Sequence, residues 1–208
     1  MNSQHPVEDN RQVSGANDPA LLLGSEHMDI LIRELRFDEL ASLAELDASV
    51  PNDAVYDVVA GESGVSLALQ KRSLDPPADR LTWGANEIAS RLELWRENHR
   101  QGCKFWGAFV EGRLVGFCLL SSEVVGNTLQ IYSIFVDRPC RGKGVGSRLI
   151  AEAEEHCRST GVRAVYLTTT LGNVKAIEFY RKLGYGIVGI HARVYKEADG
   201  QVAFCKEL

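Results

Sequence analysis

The sequence predicts an α/β fold, in which helices flank a β-sheet, and three observations support this prediction. Two β-rich runs are separated by Glu111-Gly112, which is typical of a tight hairpin. A β-rich run at 129–136 leads through a glycine-rich turn into an amphipathic helical pattern at 145–159. A second helical pattern, at 173–183, ends before Gly184, and glycine is the usual residue after a helix C-terminus.

The length of the chain indicates one folded domain. A sequence of 208 residues that is 45% hydrophobic can bury a sizeable core without dividing into two. Residues 1–27 are polar and lack periodicity apart from Leu21-Leu22-Leu23, so we predict that they form a flexible extension. The domain is therefore predicted to span residues 28–208.

Charge and composition argue against several classes of protein. A net charge of −5 is unlike that of a general nucleic-acid binder, which presents a basic face. No apolar run approaches the roughly 18 residues of a membrane-spanning helix, and the N-terminus lacks the pattern of a secretory signal. The five cysteines are scattered and form no Cys-x-x-Cys pair, which predicts a reduced, cytoplasmic protein without disulfides or zinc.

The first half of the domain is predicted to alternate short regular elements with turns. The order is strand 30–34, helix 37–46, turn 50–53, strand-like pieces 54–71, loop 75–79, helix 87–100 and the hairpin 104–121. The strand-like pieces are joined at Gly61-Glu62-Ser63-Gly64, which indicates a hairpin connection. The end of the chain is predicted to hold a strand at 163–169 and closing strands at 185–190, 194–196 and 202–208, with a turn at 198–200.

The segment 129–159 is the most informative part of the sequence. Strict strand alternation would put Gln130, Tyr132, Ile134 and Val136 on one face, and Leu129, Ile131, Ser133 and Phe135 on the other. Asp137-Arg138-Pro139 then ends the strand, because proline donates no ladder hydrogen bond. The turn Arg141-Gly142-Lys143-Gly144-Val145-Gly146 follows and opens a helix, so several free N–H groups and the positive helix end favour a phosphate.

Two common phosphate-binding motifs do not fit this turn. A Walker A loop requires Ser or Thr directly after Gly-Lys, but Gly144 follows Lys143 here. A dinucleotide-binding turn requires a third glycine where Ser147 stands and an acidic residue about 20 positions later. The sequence at that distance is Tyr166-Leu167-Thr168-Thr169-Thr170, which contains no acid.

The arginine and alternating glycines instead resemble the pyrophosphate loop of the GNAT superfamily of acetyl-CoA-dependent N-acetyltransferases, whose pattern is Gln/Arg-x-x-Gly-x-Gly/Ala. A second stretch resembles the closing motif of the same family, since Asn173 is followed by Ala176, the pair Phe179-Tyr180 and then Lys182-Leu183-Gly184-Tyr185. The two motifs and the preceding hairpin cover roughly half of the chain. The resemblance implies the GNAT fold, a mixed and mainly antiparallel sheet whose strands separate at the cofactor cleft.

The resemblance also implies a set of acetyl-CoA-binding residues and a catalytic group. Main-chain groups of the separated strand would bind the pantetheine arm, the turn would hold the pyrophosphate with added charge from Arg141 and Lys143, and Asn173 would contact the arm. Tyr180 would act as the general acid that protonates the departing thiolate. The implied binding residues are Ile134, Phe135, Val136, Arg141, Gly142, Lys143, Gly144, Val145, Gly146, Ser147 and Asn173.

The general base is unassigned. Many GNAT enzymes carry Glu or Asp where this chain has Ser133, and a serine cannot accept the proton of an ammonium group unaided. By chemistry alone, Glu123, Tyr132 and His191 are candidates.

The predicted activity is acetyl transfer from acetyl-CoA to a primary amine of a small molecule by direct attack, without metal, nucleic acid or membrane. A protein N-terminus or lysine is the alternative acceptor, and a non-catalytic acyl-CoA-binding regulatory module is a further alternative. Many relatives form dimers, which leaves a homodimer open. A finer resemblance, through Pro51-Asn52-Asp53-Ala54-Val55-Tyr56 and residues 189–195, is to the streptothricin-acetyltransferase branch, although Ser133 and Thr168 stand where its members tend to carry acids.

Overall fold

The computed structural model of the chain describes residues 28–61, 67–80, 85–191 and 200–208. Side chains at Pro51, 78–80 and 85–89 are outside that description. The predicted extension 1–27, most of the hairpin connection at 61–64 and the predicted strand 194–196 also lie outside it, as does most of the turn 198–200.

Seven strands form one sheet, in the order β1-β4-β5-β6-β7-β9-β8, and β2 pairs with β3 separately. Every neighbouring pair in these two sheets is antiparallel except β6 and β7, which confirms the mixed, mainly antiparallel prediction. The strands are β1 (Leu31–Glu34), β2 (Val50–Ala60), β3 (Leu67–Arg80), β4 (Lys104–Val110), β5 (Arg113–Leu120), β6 (Thr128–Val136), β7 (Ala164–Thr170), β8 (Gly186–His191) and β9 (Gln201–Glu207).

Helices cover both faces of the large sheet. They are α1 (Ala85–Arg100), α2 (Val145–Ser159) and α3 (Val174–Lys182), with a 3-10 helix over Phe37–Glu45 where the sequence predicted the first helix. One buried cluster joins the sheet to α2 and α3 through residues such as Leu149 and Ile177. A second cluster joins the other face to the 3-10 helix and α1, where the Trp95 and Phe117 rings meet at a centroid distance of 5.4 Å.

The hairpin β2–β3 differs from the prediction, since both the expected turn at 50–53 and the expected loop at 75–79 lie within its strands. Its register jumps, because Asn52 pairs with Ala78 whereas Ala54 pairs with Ser73. Residues 74–77 therefore have no ladder partner, and a register irregularity of this kind accommodates prolines that lack an N–H. The hairpin packs on α3, where the Lys71 ammonium contacts the Glu178 carboxylate at 2.9 Å.

A β-bulge interrupts β6 at Tyr132. Leu119 of β5 pairs with Ser133, but the next residue, Leu120, pairs with Ile131, so Tyr132 has no partner of its own. Side chains after a bulge move to the opposite face relative to strict alternation. Ile131 and Ile134 consequently both pack in the cluster with α2, and the prediction that they lie on opposite faces was wrong.

Candidate active site

A gap opens between the parallel strands β6 and β7 just after the bulge. The ladder joining them ends at the pair Ile131 and Leu167, although β6 continues to Val136 and β7 to Thr170. The predicted separation of these two strands is therefore present, and the bulge supplies its physical cause by bending β6 and disrupting the local ladder. The gap is a slot bordered by the stretches of the two strands that do not pair with each other.

Peptide groups of β6 point into this gap at alternate residues. The Asp137 N–H donates to the Val115 carbonyl of β5 at 2.8 Å. Because successive peptide groups of a strand point to opposite sides, those of Val136 and Ile134 point away from β5, toward the gap. The peptide group of Phe135 points toward β5, and its ring stacks on Phe117 at 5.4 Å. Of the three predicted β6 residues, two therefore face the gap and one packs in the core.

The glycine-rich turn presents a run of N–H groups without acceptors. No N–H from Gly142 to Ser147 donates to an acceptor among the described residues, and the first bond of α2 runs from the Arg148 N–H to the Gly144 carbonyl at 3.1 Å. The backbone at Gly142 and Gly144 has φ values of +76° and +85°, which glycine adopts without strain. A Cβ at either position would meet no atom within 4 Å. The turn is thus an open cradle of donors at a helix N-terminus, which fits an anionic group such as a pyrophosphate.

Four other predicted residues of the turn differ in their surroundings. A Cβ on Gly146 would lie 3.2 Å from Cζ of Phe179, so this glycine allows α2 and α3 to pack closely. Its expected role in binding the phosphate stays a prediction beside this role in helix packing. Val145 is buried in the core, and Ser147 is exposed in the first turn of α2. Lys143 is exposed beside the open cradle, where its charge suits an anion.

The Arg141 guanidinium makes three hydrogen bonds to main-chain carbonyls of its own chain. Its Nε donates to Val136 at 2.8 Å, Nη1 to Ser49 at 2.5 Å and Nη2 to Asp47 at 3.0 Å. Three of its five donors are thereby used, and burial lowers the pKa of this group below its usual value. The guanidinium thereby ties the segment before β2 to the end of β6, and its predicted contribution of charge to phosphate binding stays a prediction.

The same segment is attached by Asp137, which is almost fully buried. One oxygen of its carboxylate accepts the Asp47 N–H at 3.0 Å, and the other accepts Nη1 of Arg113 at 2.8 Å. The Arg138 N–H adds a bond of 3.2 Å to the Asp47 carbonyl. The sequence did not predict this attachment, because the partners are about 90 positions apart and no local pattern indicates their contact.

Asn173 lies at the start of α3 and caps it. Its Oδ1 accepts the Ala176 N–H at 3.3 Å, as side chains at this position commonly do. The residue lies three positions after the end of β7, beside the gap. Its carboxamide N–H₂ makes no hydrogen bond to a described residue, so it can donate to a ligand while the oxygen holds the helix.

Tyr180 lies in the core below the gap, on α3. It is 5% exposed and contacts the rings of Phe179, Tyr185 and Phe204. Its hydroxyl makes no hydrogen bond to any described residue. Burial and then the nearby Cys118 thiol raise its pKa above the ordinary tyrosine value. Cys118 pairs across the ladder with Ile134, a residue at the gap, so the phenol is a protonated donor near the place where β6 separates from β7.

Among the candidate bases, Tyr132 and Glu123 lie near each other, and His191 lies on another strand. Ser133 faces the α1 side, because it pairs with Leu119, which packs in the cluster on that side. Tyr132 is half exposed, and its pKa is raised by burial, by the Cys103 thiol and by nearby Glu123. His191 is exposed at the end of β8 and pairs with Gln201. None is singled out by the geometry, so the base stays unassigned.

A metal-binding cluster and a membrane-spanning helix are both absent from the part of the chain that the structure describes. No group of three or more His, Cys, Asp or Glu residues there is arranged to hold a metal ion. No helix in the same ranges is both long enough and apolar enough to cross a membrane.

Comparisons with known proteins agree with this geometry. Residues 72–185 match the acetyltransferase (GNAT) family, a range that includes the turn, Asn173 and Tyr180. The chain is 27% identical over 165 residues to streptothricin acetyltransferase of Streptomyces lavendulae, covering 79% of this chain and 85% of that protein. It is 26% identical over 164 residues to YwnH of Bacillus subtilis, assigned as a phosphinothricin acetyltransferase, covering 78% and 90%.

One solved structure combines a similar fold with a bound cosubstrate. That structure is of a protein from Bacillus anthracis str. Ames, which is assigned as a streptothricin acetyltransferase and was crystallised with acetyl coenzyme A. It superposes with a TM-score of 0.71 at 25% identity, over 88% of this chain and 99% of that one.

Proposed function

The chain belongs to the GNAT family of acetyltransferases and is an acetyl-CoA-dependent N-acetyltransferase; from this premise we propose that its acceptor is a primary amine of a small molecule. The observation that supports this acceptor class is the similarity to streptothricin acetyltransferase, which extends over most of both chains. The relative assigned as a phosphinothricin acetyltransferase, also similar over most of its length, points to the same class.

In this proposal the cosubstrate binds along the gap and the turn. Main-chain groups of Ile134 and Val136 hydrogen-bond the pantetheine arm as a neighbouring strand would, and the Ile134 N–H polarises the thioester carbonyl. The Val136 carbonyl already accepts Nε of Arg141, so this residue contributes its N–H. The free N–H groups from Gly142 to Ser147 hold the pyrophosphate, and Lys143 adds an exposed positive charge.

Tyr180 supplies the proton that the leaving thiolate needs. A general acid must hold its proton at the working pH, and burial raises the pKa of Tyr180 in the direction that keeps it protonated. Asn173 donates its free carboxamide N–H to the arm from the start of α3. The amine attacks the thioester carbon directly, so a new C–N bond forms as the C–S bond breaks, and the nitrogen gives up one proton to the base, which is unassigned.

Direct attack agrees with the state of the cysteines. Cys103, Cys118, Cys140 and Cys157 are buried and Cys205 is partly buried. Burial raises the pKa of Cys118 to about 12 and that of Cys157 to about 11, which suppresses the thiolate form that a covalent mechanism requires.

The proposal is tested by binding and turnover with the same preparation. Acetyl-CoA and CoA should raise the melting temperature, because both bind the folded state. Thiol release should then be measured with streptothricin, phosphinothricin and a peptide with a free N-terminus and one lysine. Turnover of a small amine without turnover of the peptide is the expected result.

Other outcomes have distinct meanings. Turnover of the peptide alone would overturn the acceptor class in favour of a protein N-terminus or lysine. A thermal shift without turnover of any amine would overturn the proposed acceptor but leave the cosubstrate site intact. Absence of a shift would contradict the assignment of the turn.

A further inference from the structure

Strand β2 passes across the open end of the gap between β6 and β7. At one side, the Ser49 carbonyl is bound by Arg141, which also binds the Val136 carbonyl at the end of β6. At the other side, the Tyr56 N–H donates to the Leu171 carbonyl at 3.0 Å, just beyond the end of β7. Because β6 and β7 are parallel, both ends lie at the same edge of the sheet. Residues 50–55 must therefore run between them.

Asn52 is a buried polar residue on this crossing segment. It is 8% exposed, and its carboxamide makes no hydrogen bond to any described residue. Ala54 is also buried, whereas Asp53 between them is exposed, so the segment alternates as a strand does. Tyr56, two residues further, packs against the cluster that contains Tyr180. Asn52 is thus on the inward face of β2, at the mouth of the gap.

A buried amide without a partner is costly. Native structures pair nearly all buried polar side chains, and an exception calls for an explanation. The crossing places this amide where a molecule must lie to reach the thioester. A carboxamide offers an acceptor oxygen and two donor hydrogens, a combination that suits an amine N–H together with a neighbouring oxygen of the same acceptor.

We infer that Asn52 is a binding residue for the acceptor amine, which its carboxamide oxygen holds at the mouth of the gap. The inference rests on the proposed function and extends it to a specific residue. Binding by Asn52 also explains how the protein can hold an amine although neither Ser133 on β6 nor Thr168 on β7 is an acid. A neutral amide binds an uncharged amine, the form that attacks, without stabilising the ammonium form as a carboxylate would.

The test compares Asn52→Leu and Asn52→Ala with Asp53→Asn, a matched substitution at the exposed neighbour. If the amide is reserved for ligand, Asn52→Leu replaces an unpaired buried polar group by an apolar one of similar size. It should raise the melting temperature of the free protein by about 2–4 °C. It should also lower kcat/KM for the small amine identified above by roughly 10- to 100-fold, with KM for acetyl-CoA within about twofold of wild type. Asp53→Asn should leave the melting temperature and both kinetic quantities unchanged.

Three results would contradict the inference. A lower melting temperature for Asn52→Leu would mean that the amide is satisfied within the fold. An unchanged kcat/KM for the amine in both Asn52 variants would mean that it does not contact the acceptor. An equal rise in KM for acetyl-CoA would move it to the cosubstrate site. Failure of the proposed function is recognised separately, because wild type would then turn over no small amine.

Discussion

In the proposed assignment, the two sides of the cleft recognise their ligands by different means. On the cosubstrate side, the turn from Gly142 to Ser147 offers main-chain N–H groups in a conformation that two glycines make accessible. On the acceptor side, β2 crosses the gap and offers a side chain, Asn52, from a hairpin held by long-range contacts. The turn would bind a cosubstrate that the whole family shares, whereas Asn52 would bind an acceptor that differs from one family member to another.

The difference follows from what each ligand requires. A pyrophosphate is recognised by charge and by several donors aimed at one point, and any sequence that folds into the turn supplies these. An amine acceptor is distinguished from others by shape and by individual polar contacts. Main-chain recognition is therefore robust to changes in side chains, and side-chain recognition can be altered without changing the fold.

The largest expected effect lies where the two sides meet, at Tyr180. Tyr180→Phe should lower kcat by about 10²–10⁴-fold, because the leaving thiolate loses its proton donor. The dissociation constant of CoA and the melting temperature should change little, because the hydroxyl has no hydrogen bond to lose in the described part of the chain. Steady-state kinetics and thermal melts measure the three quantities.

Tyr185→Phe is the matched control. The Tyr185 hydroxyl donates to Glu154 Oε1 at 3.1 Å, and the same buried carboxylate accepts Nζ of Lys206 at 2.8 Å. This variant should lose about 1.5–3 kcal/mol of unfolding free energy and keep its kcat. If both variants lost stability and kept kcat, Tyr180 would be a core residue rather than the acid. In wild type, the raised pKa of Tyr180 predicts no loss of kcat near pH 10, where an ordinary tyrosine ionises.

A smaller effect is expected from the turn. Gly142→Ala should weaken acetyl-CoA binding by about tenfold, because a Cβ disfavours the φ of +76° and thereby the cradle of donors. The acceptor KM should be unaffected. Isothermal titration with acetyl-CoA measures the first quantity and initial rates the second.

Gly112→Ala separates backbone strain from ligand binding. Gly112 lies in the β4–β5 hairpin with a φ of +78°, and a Cβ there, as at Gly142, would meet no atom within 4 Å. Both variants should therefore lose a similar free energy of unfolding, about 1–2 kcal/mol. Equal acetyl-CoA affinity in the two variants would show that the turn does not bind the cosubstrate.

The smallest effects should distinguish Arg141 from Lys143. Arg141→Lys cannot reproduce three hydrogen bonds to fixed carbonyls, so it should loosen the attachment of β2 and raise the acceptor KM about threefold to tenfold. Lys143→Ala removes an exposed charge and should raise the KM for acetyl-CoA by about twofold to fivefold, less at high salt. The reverse assignment of the two KM effects would favour Arg141 over Lys143 as the phosphate ligand.

The sequence predicted the cosubstrate side well because its determinants are local. Glycines at fixed spacing, a proline after a strand and a helix pattern specify β6, the turn and α2 within about 30 residues. The hairpin β4–β5 and helix α3 were predicted for the same reason. The roles of Gly142 to Ser147 as binding residues remain predictions that the open cradle supports.

The structure of the acceptor side depends on long-range contacts, which no local sequence pattern indicates. Pro51 indicated a turn and the prolines at 76–77 a loop, but Pro51 pairs with Asp79 within β2, and a register irregularity admits the other two prolines within β3. The bulge at Tyr132 could not be read from an alternating run, since it arises from pairing with β5. Arg141 matched a family motif in sequence, yet its guanidinium contacts residues about 90 positions away.

The bulge at Tyr132 also affects the tendency of the free protein to self-associate. Beyond it, β6 pairs with β5 on one side only, because its ladder with β7 ends at Ile131 and Leu167. Exposed strand edges template intermolecular pairing, and proteins protect them by covering them. Here β2 lies across the open end, so the strand proposed to contact the acceptor also covers this edge of β6 against other chains. Loss of this cover would turn a catalytic gap into a site for strand addition.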